Sequence, residues 1–178
     1  TRVAALSSQG VRNMANSADD AGNGSVPEAV PQGFERLPEG LAFIDALQPV
    51  YREVDGANAS FGLVVQARHG NTMGICHGGV LMTLADMAAA TGVNLARGEL
   101  SGSPTISMNM DFVAAARRGE WIQADAQEVS LKRRFGFCRG TISCGRGVVA
   151  RFSGTFYFPD HKGLWKAGAT PQSLFDAS

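Results

Sequence analysis

Hydrophobic and polar positions along this chain fall into distinct regimes. Residues 1–33 are rich in Ala, Gly, Ser and Asn and carry no apolar period, which predicts a flexible leader, at most with a short helix. From Phe34 the texture changes. Gly40 to Leu47 reads as a short helix leading into a first strand, Val50 to Val54, and the pair Asp55-Gly56 marks a hairpin turn. Phe61, Leu63 and Val65 alternate with smaller or polar residues as a second strand. A loop from His69 to Cys76 follows, punctuated by Gly70 and Gly74. His77 to Arg97 is the one long helix, apolar almost all round, which predicts a helix enclosed by protein.

Beyond Gly98 to Pro104 the period changes to two. Ile106, Met108, Met110 and Phe112 alternate with Thr105, Ser107, Asn109 and Asp111, the pattern of a half-buried strand. Trp121 to Ser130, Phe135 to Cys144 and Val148 to Phe158 read as three more strands, with Gly145-Arg146-Gly147 as the tight turn between the last two. Pro159 stops the sheet, and residues 160–178 read as a loose tail. The order is strand, strand, long helix, then four antiparallel strands. A single helix apolar on every side needs a curved sheet wrapped round it, so the expected class is α+β, with one domain over 34–159.

Composition narrows the function. The 178 residues suffice for one domain with a sizeable core. Sixteen basic residues balance sixteen acidic ones, so no global field favours nucleic acid or an anionic membrane. The weakly charged stretch from Gly78 to Ala96 has the length of a membrane span. Asp86 at its centre would cost about 2.5–3.5 kcal/mol there, and the stretch is rich in Ala and Gly, so a buried helix is expected. Cys76, Cys138 and Cys144 are an odd number without paired spacing and read as reduced thiols of a cytoplasmic protein. Arg2 and Arg12 lie among Ser and Ala, but Asp19 and Asp20 follow and no apolar signal core is present.

Three features carry chemistry. Asp86 is the only ionisable group between His77 and Arg97, and Asp is a poor residue for the middle of a helix. It reads either as a structural hydrogen-bonder or as a general base or nucleophile in a partly desolvated pocket. His77-Gly78-Gly79 opens the same helix, where free N–H groups and the positive dipole end favour negative charge and glycine lets a carbonyl approach the backbone. That is the equipment of an oxyanion hole, although a plain helix start uses the same residues. Asn71 in the preceding loop supplies an amide that would orient a water or a thioester oxygen, or merely form a turn.

Spacing then imposes a constraint. At 1.5 Å per residue, Gly78 and Asp86 stand roughly 12 Å apart along one helix. A general base acts within about 3 Å of its proton, or through one water. If both groups act on one carbonyl, they meet across a two-fold axis, and function requires a dimer.

The string Asn71-Thr-Met-Gly-Ile-Cys-His77-Gly78-Gly79, followed by Leu84-Ala85-Asp86, resembles the phenylacetate-type (PaaI-like) branch of the hotdog thioesterases, in the 4-hydroxybenzoyl-CoA thioesterase superfamily. The resemblance covers about residues 40–158, and the predicted element order is similar to the hotdog fold. It implies hydrolysis of acyl-CoA, with coenzyme A as part of the substrate and no cofactor, in a homodimer with shared sites that pairs into a dimer of dimers. Asp86 would activate water or attack directly, the Gly78 amide would polarise the thioester carbonyl, and Asn71 would place water or substrate. His77 would orient the thioester or brace the loop, and Ser107 is the match for a strand hydroxyl that holds the nucleophilic water.

Lys132, Arg133, Arg134 and Arg139 form a basic cluster near a predicted hairpin, suited to coenzyme A phosphates or simply to a solvated turn. Gly79 is grouped with them as a substrate-binding backbone position. Phe112, Met108, Met110 and Phe137 are candidates to line an acyl pocket. No structural zinc spacing, G-x-S-x-G elbow or phosphate-binding glycine loop is present, so no metal site is expected. Two rival readings are a hotdog hydratase or dehydratase and an acyl-CoA-binding module without turnover.

Overall fold

A computed structural model describes residues 30–56, 58–98 and 102–159. The expected leader over 1–29 and tail over 160–178 lie outside the described residues. Seven strands make one antiparallel sheet: β1 (Glu35–Arg36), β2 (Tyr51–Asp55), β3 (Asn58–Val64), β4 (Thr105–Phe112), β5 (Trp121–Leu131), β6 (Phe135–Cys144) and β7 (Gly147–Tyr157). Their spatial order is β1-β2-β3-β5-β6-β7-β4, so among the described residues β4 is an edge strand paired only with β7. The helix α1 (Gly78–Arg97) connects β3 to β4 and packs on one face of the sheet. This is the α+β hotdog arrangement that the element order implied.

Alternation decides which residues face the helix. Along β5, Ile122, Ala124 and Ala126 are buried while Trp121, Gln123 and Asp125 lie on the outer side. Along β6, Gly136, Cys138, Gly140 and Ile142 turn inward, and along β7 Phe152, Gly154 and Phe156 do so. They meet the buried stripe of α1, which includes Leu81, Leu84, Ala85, Ala88, Ala89 and Val93. Close seating depends on missing side chains. A Cβ on Gly92 would come within 2.8 Å of the Ala126 methyl, and one on Gly136 would collide with Val93. Gly98, in the left-handed conformation at φ 69°, closes the helix by donating to the Asn94 and Leu95 carbonyls.

The structure departs from the sequence reading in four places. The short helix is a 3-10 turn, Ala42–Leu47, and a second 3-10 turn, Ala67–His69, precedes the glycine-punctuated loop. β1 is too short to show a period. Val30 packs with Phe34 and Tyr51 against Trp121, so packed chain begins before the boundary expected at residue 34. Finally, among the described residues α1 is not enclosed on every side. Met82, Thr83, Asp86, Ala90 and Asn94 are only half-buried, because the sheet of one chain covers one side of the helix.

Candidate active site

The loop that leads into α1 is pinned at both ends. Gly70 and Cys76 form an antiparallel bridge, the Asn71 N–H donates to the Ile75 carbonyl at 2.9 Å, and the Cys76 N–H donates to Ala116 at 2.8 Å. The Asn71 side-chain oxygen accepts from the Met73 N–H at 2.9 Å and from the Ile75 N–H at 3.4 Å. Asn71 therefore organises its own loop through its oxygen, as an Asx turn does.

His77 is the N-cap of α1. Its Nδ1 accepts from the Gly79 N–H at 2.9 Å, and its carbonyl accepts from the Val80 N–H at 3.0 Å. The Gly79 amide, expected to bind substrate, is thus already engaged. Among the described residues nothing accepts from the Gly78 N–H. The first helical position therefore presents one open donor at the positive end of a 20-residue helix. The Phe112 ring covers this point: a Cβ on Gly78 would stand 3.1 Å from its Cζ.

Two turns along, Asp86 is half-buried and its Oδ1 accepts from the Thr105 hydroxyl at 2.7 Å. Ser107 was the expected strand hydroxyl, and the register explains the difference. From Phe112 back to Met108, alternate residues of β4 lie opposite the inward Ala150, Phe152 and Gly154 of β7. An irregularity between Thr105 and Ser107 then interrupts the alternation. Thr105 pairs with the inward Phe156, whereas Ser107 pairs with Thr155 on the outer face. Ile106, expected on the apolar side, is 60% exposed.

The basic cluster comes together only in part. Lys132, Arg133 and Arg134 lie at the β5–β6 hairpin, where Lys132 and Phe135 exchange backbone hydrogen bonds. The Arg134 guanidinium donates to the Tyr157 hydroxyl at 2.8 Å. Arg139 stands roughly 17 Å farther along β6, at about 3.3 Å per residue, on the outer face of the sheet. It lies 3.9 Å from Glu128. Phe137 is also on that outer face and so does not line a pocket beside α1. A cavity of about 680 Å³, lined by residues including Asn109, Phe137, Arg139, Ser153 and Thr155, lies on the same outer side, away from Asp86.

A further residue enters the sequence reading only as the start of a loop. His69 is 1% exposed, with Nδ1 accepting from the Gln66 N–H at 3.1 Å and Nε2 lying 3.1 Å from the Leu47 carbonyl. Burial, then the neighbouring Arg68 charge, holds its pKa below the usual 6.5. A lone histidine beside a glycine gives no sequence signal of this role.

Comparisons with known proteins give the family and the fold. The family model described as the thioesterase superfamily matches residues 73–150, from the site loop through most of the sheet. A Pseudomonas aeruginosa protein named as a candidate esterase is 30% identical over 131 residues, which span 73% of this chain and 98% of that one. The chain belongs to the thioesterase superfamily. A mutant of the phenylacetic acid degradation protein PaaI from Thermus thermophilus is 31% identical, with a TM-score of 0.59 over 66% of this chain and 98% of that one. The PaaI protein of the Escherichia coli phenylacetic acid degradation operon is 26% identical, with a TM-score of 0.56 over 62% and 79% of the two chains. A Streptococcus pneumoniae thioesterase solved with coenzyme A shares the fold at 19% identity, with a TM-score of 0.56 over 70% and 94%. As a thioesterase-superfamily member, this chain carries a half-buried carboxylate in the middle of α1 and, among the described residues, one open amide at that helix's N-terminus.

Proposed function

We propose that this protein hydrolyses acyl-CoA thioesters to the carboxylic acid and free coenzyme A, using two equivalent sites in a homodimer. The observation that carries the reading is the Asp86 carboxylate. Thr105 holds one oxygen, and among the described residues nothing donates to the other, so Oδ2 is available for chemistry. In each site it would work with the partner subunit's Gly78, whose N–H would donate to the thioester oxygen.

The reaction balances with these groups alone. Asp86 takes a proton from water as the water oxygen bonds the carbonyl carbon, and the oxygen of the tetrahedral species accepts from the Gly78 N–H. Collapse breaks the carbon–sulfur bond, and the thiolate recovers the proton from Asp86. Direct attack by Oδ2 would pass instead through an acyl-enzyme that water then cleaves. Asn71, His77 and Gly79 would build the loop that aims the Gly78 amide.

Several features support a dimer. Among the described residues β4 is an open edge eight residues long, and Ile106, Phe112 and Val113 are each at least 50% exposed on or beside it. The half-buried stripe of α1 bearing Asp86 lies on the side its own sheet leaves open. The exposed hairpin residues Lys132 and Arg133 would hold coenzyme A phosphates, and two such dimers would form the tetramer. Three free cysteines, with burial pushing Cys76 and Cys138 up to about 11, suit a reducing cytoplasm. The test is thiol release from phenylacetyl-, benzoyl-, short-, medium- and long-chain acyl-CoAs. Turnover of one group names the acyl class; binding without release from any of them would replace the enzyme reading with an acyl-CoA-binding one.

A further inference from the structure

We infer that buried His69 is a positioning residue that aims the Gly78 amide by tying the site loop to the 3-10 turn Ala42–Leu47. The inference rests on the reading of Gly78 as the oxyanion donor, and it concerns a residue outside that site. A backbone N–H can only donate, so the Gln66 amide fixes Nδ1 of His69 as an acceptor. Nε2 then carries the ring hydrogen and donates to the Leu47 carbonyl. One neutral tautomer satisfies both bonds, and at 1% exposure solvent has little access to replace them.

The ring thereby locks the backbone of its own residue. The His69 carbonyl accepts from the His77 N–H at 2.8 Å. His77 in turn accepts from the Gly79 N–H through Nδ1. These bonds run from Leu47 to the first turn of α1, and the Gly78 N–H lies between the last two anchored amides. The far end is also rigid. The Gln48 side chain donates to the Pro38 carbonyl at 3.1 Å and accepts from the Val50 N–H at 2.9 Å, and Arg68 donates to the Gln48 carbonyl. A loop residue with both ring nitrogens committed to backbone, feeding directly into the N-cap, is a mechanical link more than a packing filler.

The test uses three variants of the full chain. His69→Gln keeps a donor for Leu47, His69→Asn keeps an acceptor for Gln66, and His69→Leu keeps neither. Amide exchange is followed by NMR at His77 and Gly79, with Leu84 to Val93 as the reference within α1. The expected result for His69→Leu is exchange faster by about tenfold at His77 and Gly79 with the helix interior unchanged, and a smaller effect in the two amide variants. On an acyl-CoA that the unsubstituted protein turns over, kcat should fall about tenfold or more with KM nearly constant, in the same order of variants. Uniform acceleration along α1, unchanged exchange, or unchanged kcat in a folded variant each overturns the link. If His69→Leu does not fold, the Gln and Asn variants decide by the same criteria. An unsubstituted protein without turnover would sink the thioesterase reading, and exchange alone would then judge the link.

Discussion

Thr105 and Asp86 are nineteen residues apart in the chain, and the Thr105 hydroxyl donates to Asp86 Oδ1 at 2.7 Å. The bond joins the first residue of the edge strand β4 to the middle of α1. It fixes which carboxylate oxygen is held and which has no donor among the described residues.

Removing the base should abolish most turnover without unfolding the protein. Asp86→Asn keeps the shape and should lower kcat by about 10²–10⁴-fold. Thiol release and thermal unfolding measured on the same sample check this, and near-normal turnover would exclude Asp86 as the base or nucleophile.

The two hydroxyls of β4 should behave differently. Thr105→Val removes a hydrogen bond to a charged group, a class worth about 1.5–3 kcal/mol, so kcat should fall about tenfold or more, with Thr105→Ser largely normal. Ser107→Ala should leave kcat within about twofold, since its side chain is on the other face of the sheet. Equal losses from both would mean that the Ser107 hydroxyl also serves the Asp86 side of the sheet.

Gly78→Pro is a selective probe of the proposed oxyanion donor. Proline removes the N–H yet suits the first helical position, and His77 already has the extended backbone, φ −66° and ψ 136°, that precedes proline. Phe112 at 55% exposure has room to turn aside. The expected loss in kcat is about 10²–10³-fold with the fold intact. Mixing this variant with Asp86→Asn tests the shared site: a randomly paired equimolar mixture should recover about a quarter of wild-type activity, because about half of its dimers are heterodimers and each of these keeps one intact site. No recovery in proven heterodimers would mean that each site lies within one chain.

Acid stability should depend on Glu120. Arg146 donates to its carboxylate at 2.6 and 2.9 Å, and this bond, more than any other cause, lowers the Glu120 pKa to about 2 from 4.5. A carboxylate with a depressed folded pKa stabilises the protein above its unfolded pKa, and that contribution fades as pH falls through the folded one. Between pH 4.5 and about 2, Glu120→Gln should therefore lose less melting temperature than the wild type. Because the pair is exposed, the effect should be small and should shrink further in high salt. Identical slopes for the two proteins would show that the pair does not couple to folding.

Helix seating can be tested at Gly136. A methyl there meets Val93 of α1, so Gly136→Ala should cost about 1–3 kcal/mol by overpacking, read as a lower melting temperature. An unchanged melting temperature would mean that α1 has slack against β6.

Several properties were fixed by local sequence. The two-residue period of β4 and the apolar run of α1 are short-range patterns, so the element order was legible, and the resemblance carried by the Asn71 to Asp86 string implied the hotdog arrangement. Asp86 stood out because a carboxylate amid Ala, Leu and Met needs a partner, and the glycines after His77 marked an open helix start. Tertiary structure alone decided which partner that was. One irregularity in the β4–β7 register reverses the side-chain direction, and no local pattern announces it. The same holds for Arg139, close to the hairpin in sequence but carried along the outer face, and for His69, whose partners are both backbone groups brought near by the fold. Period records which face a residue prefers; pairing register and backbone contacts are long-range, and only the folded chain sets them.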